Sequence, residues 1–410
     1  MEIRLRTLTP LWTGGVNGEC TKLRETSILG SLRWWFEAIV RGFGGYACDP
    51  TSNVKCEYNE DLKDICAACE LFGTTGWAKR FRFEINQIFH KIYSGNLVIK
   101  GYRRNWYYPS GLVSCDSELN KIYETMFFES DLDTILRVLL LFISKWGMIG
   151  GKTAIGYGVA RFEDENNNSL KVNGKDVEKF FYYIEEKRNH GKNVKNMPRL
   201  DEMFFAKFRF DKNCIKNITN KIGENIYVKN GIKQYPVEIS ECNGVGEEID
   251  TPEKFLQRLK DYYSFIPTSA LVRKSLRFKI RIQFRNHNLR HFLMGNIQTN
   301  KRFMNIDPTK FSAIQVSHIY WNGENWEFRI WGWIPKNLES LYGVVRSEVI
   351  GFIKRELNNE RFWENVLSCA PEKPNGSNLL EYPEDNWNFV DLGKVSNVKD
   401  VFKTMVIGNE

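Results

Sequence analysis

Acidic residues are missing from residues 262–306, where 45 positions carry no Asp or Glu. Nine cations fall in that window: Arg273, Lys274, Arg277, Lys279, Arg281, Arg285, Arg290, Lys301 and Arg302. The net charge of +8 therefore understates a local cationic surface. Long hydrophobic runs are lacking too. The longest, residues 135–143, is interrupted by Arg137 and falls short of the roughly 20 residues a bilayer demands, so no membrane contact is expected. Residues 1–6 alternate as a strand does, without the apolar stretch of a secretion signal. Histidine is scarce, with five scattered copies, and no HExxH, GxSxG or paired-carboxylate pattern accompanies them, so the spacing indicates no catalytic centre.

What is present is ordinary for a globular protein. Apolar residues make up 42% and charged residues 26%, which excludes global disorder and fibrous architectures. At roughly 150 residues per domain, 410 residues imply two or three domains.

Nine cysteines is an odd count, and Cys48, Cys56, Cys66 and Cys69 crowd together. A Cys-x2-Cys pair chelates a metal from a tight turn, and two further thiolates complete a tetrahedral structural zinc site. The polar segment around them has little apolar periodicity, and an insertion without its own core needs such a clasp. Buried or redox-active thiols are the alternative. The pattern favours a reducing, cytoplasmic setting over a disulfide framework.

Within the basic window, residues 276–285 alternate strictly. Leu276, Phe278, Ile280, Ile282 and Phe284 fall on one side, Arg277, Lys279, Arg281, Gln283 and Arg285 on the other. This predicts a half-buried strand. Its same-face residues would lie roughly 6.6 Å apart, near the phosphate spacing of an extended single strand, and could track an RNA backbone. A solvated face or contact with an acidic protein is the plainer reading.

Along the chain, a strand over residues 2–9 precedes a helix, capped by Thr26 or Ser27, whose stripe is Ile28, Leu32, Trp35, Phe36, Ile39 and Phe43. Strands over 77–89 and 95–108 follow. A helix from Asp131 to Trp146 buries Leu132, Ile135, Leu136, Leu139, Ile143 and Trp146, and a strand near 159–162 closes the unit. That order is the split βαβ of ferredoxin-like domains. Residues 166–200 read as a polar linker with a short helix, and 201–410 coarsely repeat the first unit. The expected architecture is α+β: two tandem ferredoxin-like (RRM-like) domains, 1–165 and 201–410, with a cysteine-rich insertion at 46–76. The glycine-rich segment 147–158 fails the P-loop spacing, since Trp146 stands where a glycine is required. It can still offer backbone N–H groups and Lys152 to phosphates, or be a structural turn. Arg103-Arg-Asn-Trp-Tyr-Tyr108 interleaves cations with aromatics, as base-stacking surfaces and inward-packed edge strands both do.

Three motifs, Thr9-Pro-Leu-Trp-Thr-Gly-Gly15, Glu25-Thr-Ser-Ile-Leu-Gly-Ser-Leu-Arg-Trp-Trp-Phe-Glu-Ala38 and Cys66-Ala-Ala-Cys-Glu-Leu-Phe-Gly-Thr-Thr-Gly-Trp77, resemble one family. It is the first subunit of the Cmr effector complex of type III-B CRISPR systems, in the RAMP superfamily. The resemblance is densest over residues 1–165. It implies two RAMP domains in a cytoplasmic subunit that caps the complex at the guide RNA 3′ end. It also implies contact there with target RNA and with other Cmr subunits, especially the RAMP backbone subunit. It implies no catalysis by this chain: residues 14–24, where RAMP target-cutting subunits carry an Asp, contain Asn17 and Glu19 but no Asp. A guide-processing endoribonuclease and a pure scaffold are the rivals. Expected RNA contacts are Lys22, Arg24, Arg33 and Trp34 in the first domain, Lys152 and Tyr157 from the glycine segment, and Arg277, Lys279, Arg281, Arg285, Lys301 and Arg302 in the basic window.

Overall fold

The structure, a computed structural model, describes residues 2–15, 20, 22–52, 55–85, 90–92, 97–99, 106–107, 111–113, 120–125, 130–186, 194, 196–228, 256–257, 259–261, 264–295, 312–373 and 389–408. The first half runs β1 (Glu2–Thr7), α1 (Glu25–Gly42), α2 (Ala67–Phe72), β2 (Arg82–Ile85), the short strands β3 (His90–Ile92), β4 (Leu97–Ile99), β5 (Trp106–Tyr107) and β6 (Gly111–Val113), then β7 (Asn120–Thr125), α3 (Ser130–Trp146), β8 (Ala160–Glu163) and α4 (Gly174–Glu186). Its antiparallel sheet has the order β2-β7-β1-β8.

The second half runs β9 (Met203–Phe210), α5 (Lys212–Gly223), β10 (Ile226–Val228), β11 (Phe265–Ile266), α6 (Ser269–Phe284), α7 (His287–Met294), β12 (Ile314–Val316), β13 (Ile319–Trp321) and β14 (Trp326–Trp333). It closes with α8 (Leu338–Tyr342), α9 (Arg346–Leu357), α10 (Glu360–Leu367), β15 (Phe389–Asp391) and α11 (Val398–Ile407). Here the order is β11-β13-β14-β9-β15, all antiparallel. Leaving out β11, the two halves trace one path: the first strand lies beside the last on one side and the third on the other.

The helix stripes of α1 and α3 are buried as the periodicity predicts. Trp35 anchors α1 by donating from Nε1 to the Met148 carbonyl at 2.9 Å. α1 starts at Glu25, one residue before the expected caps, and Arg24 occupies the cap position without a side-chain capping bond.

Three sequence expectations are corrected. Residues 269–284 form a helix, not a strand. After a first turn buried throughout, the buried positions Val272, Arg273, Leu276 and Ile280 keep helical spacing, and sixteen positions pass without Gly or Pro. Leu276 and Ile280 face the core, while Phe278 and Ile282, on the other side, are each 56% exposed. The polar stretch 166–200 is more than a linker. α4 buries Val177, Phe180, Phe181 and Ile184, and Phe180 stacks on Phe402 of α11 with centroids 5.7 Å apart. Among the described residues the cysteines also include a disulfide: Cys214 on α5 pairs with Cys369, just after α10, at a Cα separation of 5.6 Å. Packing of α10 against α5 brings those distant positions together. Among the described residues no helix is long and apolar enough to cross a membrane.

The halves share a polar seam. Arg329 of β14 donates from Nη1 to the Ser144 and Gly147 carbonyls, both at 3.1 Å, and pairs with Glu327 at 3.3 Å. Arg273, 4% exposed, donates to the Ala154, Ile314 and Met294 carbonyls, and burial with the neighbouring Arg277 charge pulls its guanidinium down to about 9.

Candidate nucleic-acid interface and cysteine centre

The glycine segment is consumed mainly by structure. Gly151 N–H donates to the Trp12 carbonyl and Gly158 N–H to the Pro10 carbonyl, at 2.8 and 2.9 Å. The 3-10 turn Thr153–Ile155 docks on the second half: Thr153 Oγ1 donates to Gln315 Oε1 at 2.8 Å, and Ser269 Oγ, in the first turn of α6, to the Ile155 carbonyl at 2.5 Å. Lys152 itself is exposed, in the left-handed region at φ 63°, with Nζ 4.9 Å from the Trp12 ring centre. Lys22 is exposed nearby, its carbonyl accepting from Thr13 Oγ1 at 2.7 Å. Tyr157 is 3% exposed, burial pushes its phenol upward, and its ring lies 5.7 Å from that of buried His318. It is therefore a seam residue, which corrects its assignment to RNA.

Because the turn after Lys152 seats on the first turn of α6, the basic residues of α6 continue from it. Arg277 and Arg281 stand four residues apart on α6, a rise of roughly 6 Å, so the helix keeps the phosphate-like spacing expected of the strand, and Arg285 follows at its C-terminal cap in the left-handed region at φ 48°. Arg281 and Arg285 are exposed; Arg277 is half-buried and donates to the Met294 and Gly295 carbonyls at 3.2 and 2.7 Å. Lys279 leaves the row, pairing with Glu356 at 3.2 Å. α7 sets Arg290 of the same window beside His287 and His291. The His287 and His291 rings lie tilted against each other with centroids 3.9 Å apart, and Arg290 Nη2 lies 3.3 Å from His291 Nε2. Among the described residues no carboxylate pairs with Arg277, Arg281, Arg285 or Arg290. The crowding registers in their protonation. Burial and Arg290 hold Arg277 down at about 10; burial, His287, Arg277 and Arg290 hold His291 down at about 4. Such a cluster favours an anion, and a row of them a polyanion. Lys301 and Arg302 lie outside the described residues, as does the 103–105 part of the aromatic-cationic run.

The other first-domain candidates are engaged elsewhere. Trp34 is half-buried between Trp35 and Trp331, at centroid distances of 5.0 and 5.7 Å, and so packs across the seam. Arg24 is half-buried at the start of α1. Arg33 is drawn into the cysteine centre. Nε donates to Glu37 Oε1 at 2.8 Å, Nη1 to the Gly73 carbonyl at 2.8 Å and Nη2 to Cys69 Sγ at 3.2 Å.

In that centre the Sγ atoms of Cys48, Cys56, Cys66 and Cys69 all lie within 4.8 Å of one another, and all four residues are buried. Zn–S bonds of about 2.3 Å would set tetrahedral sulfurs about 3.8 Å apart, so the cluster has the dimensions of a four-thiolate metal site. Local geometry supports it. Cys66 caps α2, its Sγ accepting from Cys69 N–H at 3.5 Å, while Cys66 N–H donates to Cys56 Sγ at 3.4 Å. Gly73, at φ 90°, lets the chain turn back, where a Cβ would meet the Lys79 nitrogen at 3.0 Å. Hydrogen bonding from Cys56, Cys66 and Cys69 lowers the Cys48 thiol, which raises those of its neighbours.

Residues 4–163 match the model of the RAMP superfamily. No curated protein matches the chain. Among solved structures, Cmr1 from Pyrococcus furiosus, in its apo form, is similar at 12% identity and a TM-score of 0.39, over 81% of this chain and 87% of that one. A chain of the type III-B Cmr-beta complex bound to cognate target RNA is similar at 12% identity and a TM-score of 0.30, over 81% and 94%. A second state of that complex matches at 15% identity and 0.30, over 82% and 94%.

Proposed function

We propose, from the match of residues 4–163 to the RAMP superfamily model, that the chain is a non-catalytic RNA-binding subunit of a type III-B CRISPR effector complex, acting at the guide RNA 3′ end and on target RNA there. The observation that carries the reading is the carboxylate-free row on α6 and α7, joined to Lys152 by the docked turn. The strand orders β8-β1-β7-β2 and β15-β9-β14-β13 support two tandem ferredoxin-like RAMP domains. In this reading the four cysteines hold a structural zinc ion that fixes the 46–76 insertion on α1. Phosphates lie along Arg281, Arg285 and Lys152, with Arg277 and Arg290 supplying field from behind.

The test is photocrosslinking of the assembled complex with a guide RNA carrying a photoreactive group near its 3′ end. Crosslinks at Lys152, Arg281 or Arg285 are expected. A scaffold reading is favoured by one feature, the exposed apolar pair Phe278 and Ile282 beside those arginines. Protein–protein crosslinks through this face with no RNA adduct would establish it instead.

A further inference from the structure

Arg33 makes three contacts a surface cation would not make, and together they point to a role at the cysteine centre. Its side chain is 19% exposed and lies against Glu37, which is 4% exposed. Glu37 in turn meets Arg41 Nη2 at 3.4 Å. Arg41 donates to the carbonyls on the approach to the first thiolate, Ala47 at 3.0 Å and Cys48 at 2.7 Å. The face of α1 thus presents an Arg–Glu–Arg ladder at four-residue spacing, with one guanidinium on each end of the insertion. A cavity of about 190 Å³ opens beside it, lined by Arg33, Lys55, Thr74, Thr75 and the cysteines Cys48 and Cys69. Arg33 shares that lining with Cys48 and Cys69, so it stands where the cavity meets two of the four ligands.

We propose that Arg33 is a positioning residue of the metal centre. It donates to the Cys69 thiolate and offsets the surplus negative charge of a four-thiolate site at the edge of the cavity that two of the ligands line. Four thiolates around a divalent ion leave a charge of about −2, and burying that charge requires a fixed cation or donor nearby. The bond to the Gly73 carbonyl, at the end of α2, sets the guanidinium's plane so that one nitrogen remains aimed at sulfur. Lysine has one point charge in place of the fork, so it can answer the charge but cannot hold Glu37, Gly73 and Cys69 together.

The inference rests on the zinc reading above, and cobalt(II) separates the two. The full chain, loaded with Co²⁺, is read by absorption spectroscopy and by competition with a chelator. A wild-type spectrum without the bands of a tetrahedral four-sulfur site would remove the metal reading itself. Given those bands, Arg33→Ala is expected to bind Co²⁺ 10- to 100-fold more weakly and to lose it faster to chelator. Its sulfur-to-cobalt charge-transfer band should move to longer wavelength, because a thiolate without its donor gives up electron density more easily. Arg33→Lys should recover part of the affinity, and it serves as the decisive variant if Arg33→Ala does not fold. Wild-type affinity, release rate and band position in Arg33→Ala, or wild-type values of all three in Arg33→Lys when only that variant folds, would overturn the proposal.

Discussion

Removing Arg281 and Arg285 together should flatten the salt dependence of RNA binding by a calculable amount. Both side chains are exposed and neither contributes to the core, so Arg281→Ala/Arg285→Ala leaves the fold standing. Each phosphate contact on a single strand contributes about 0.7 to the slope of log K against log salt, so two contacts contribute about 1.4. Measured from a common intercept near 1 M salt, that slope difference amounts to roughly 25-fold in affinity at about 0.1 M. The assay is fluorescence anisotropy of a labelled single-stranded RNA between about 0.05 and 0.5 M salt, for wild type, the double variant and Lys279→Ala. Lys279→Ala is the internal control. Its ammonium already faces Glu356 at 3.2 Å, so its removal should change the slope by much less than one contact. The reasoning fails if the double variant runs parallel to wild type, or if Lys279→Ala flattens the slope as much per residue.

Three other consequences can be checked. His291 is held down at about 4, and a phosphate seated against it would raise it, so binding takes up protons. RNA affinity should therefore climb as pH falls from about 7 to about 5, and His291→Gln should abolish the climb. The free protein behaves oppositely: its unfolded chain binds the extra proton below about 6.5, so stability falls as pH drops toward about 4. Stripping the metal with a chelator should make Cys48, Cys56, Cys66 and Cys69 react with a thiol reagent as one group and lower the melting temperature, both reversed by added zinc. Gly156→Ala should cost about 3 kcal/mol or more in denaturant unfolding, combining left-handed strain with overpacking. The position has φ +106°, and a Cβ there would meet the His318 ring at 2.3 Å, in the middle of the seam.

The parts of this molecule that could be read from sequence are those whose signal is local. The α1 and α3 stripes were legible because apolar residues recur along each at helical spacing, although burial extends beyond the stripe, to Val40 in α1 and to Val138 and Leu141 in α3. The four cysteines were legible because thiols that close together have few uses, although their uneven spacing gives no hint that all four sulfurs gather within 4.8 Å of one another. The basic row was legible as composition and misread as conformation. In residues 276–285 the apolar positions fall at every second residue, which on a helix puts Leu276 and Ile280 on the core side and Phe278 and Ile282 on the opposite side. Period two over ten residues is thus also a four-residue repeat on two faces, and only tertiary packing decides between them. The stretch 268–294, free of Gly and Pro, was the one local sign of a helix.

Arg33 shows the other kind of failure. It sits off the apolar stripe of α1, so a one-helix view assigns it to solvent and hence to a polyanion. Its partners at Cys69 and Gly73 are 36 and 40 residues away, and nothing in the helix pattern reports them. The same holds for Arg273, which lies in the carboxylate-free window like the exposed arginines but is spent on carbonyls at the seam. Density of charge in a sequence therefore locates the surface but does not choose its members. Of the cations this window shares with the glycine segment, burial and partner geometry leave Lys152, Arg281 and Arg285 facing outward. The salt slope should accordingly respond to those three and be nearly blind to Arg273 and Lys279, which are spent on carbonyls and on Glu356.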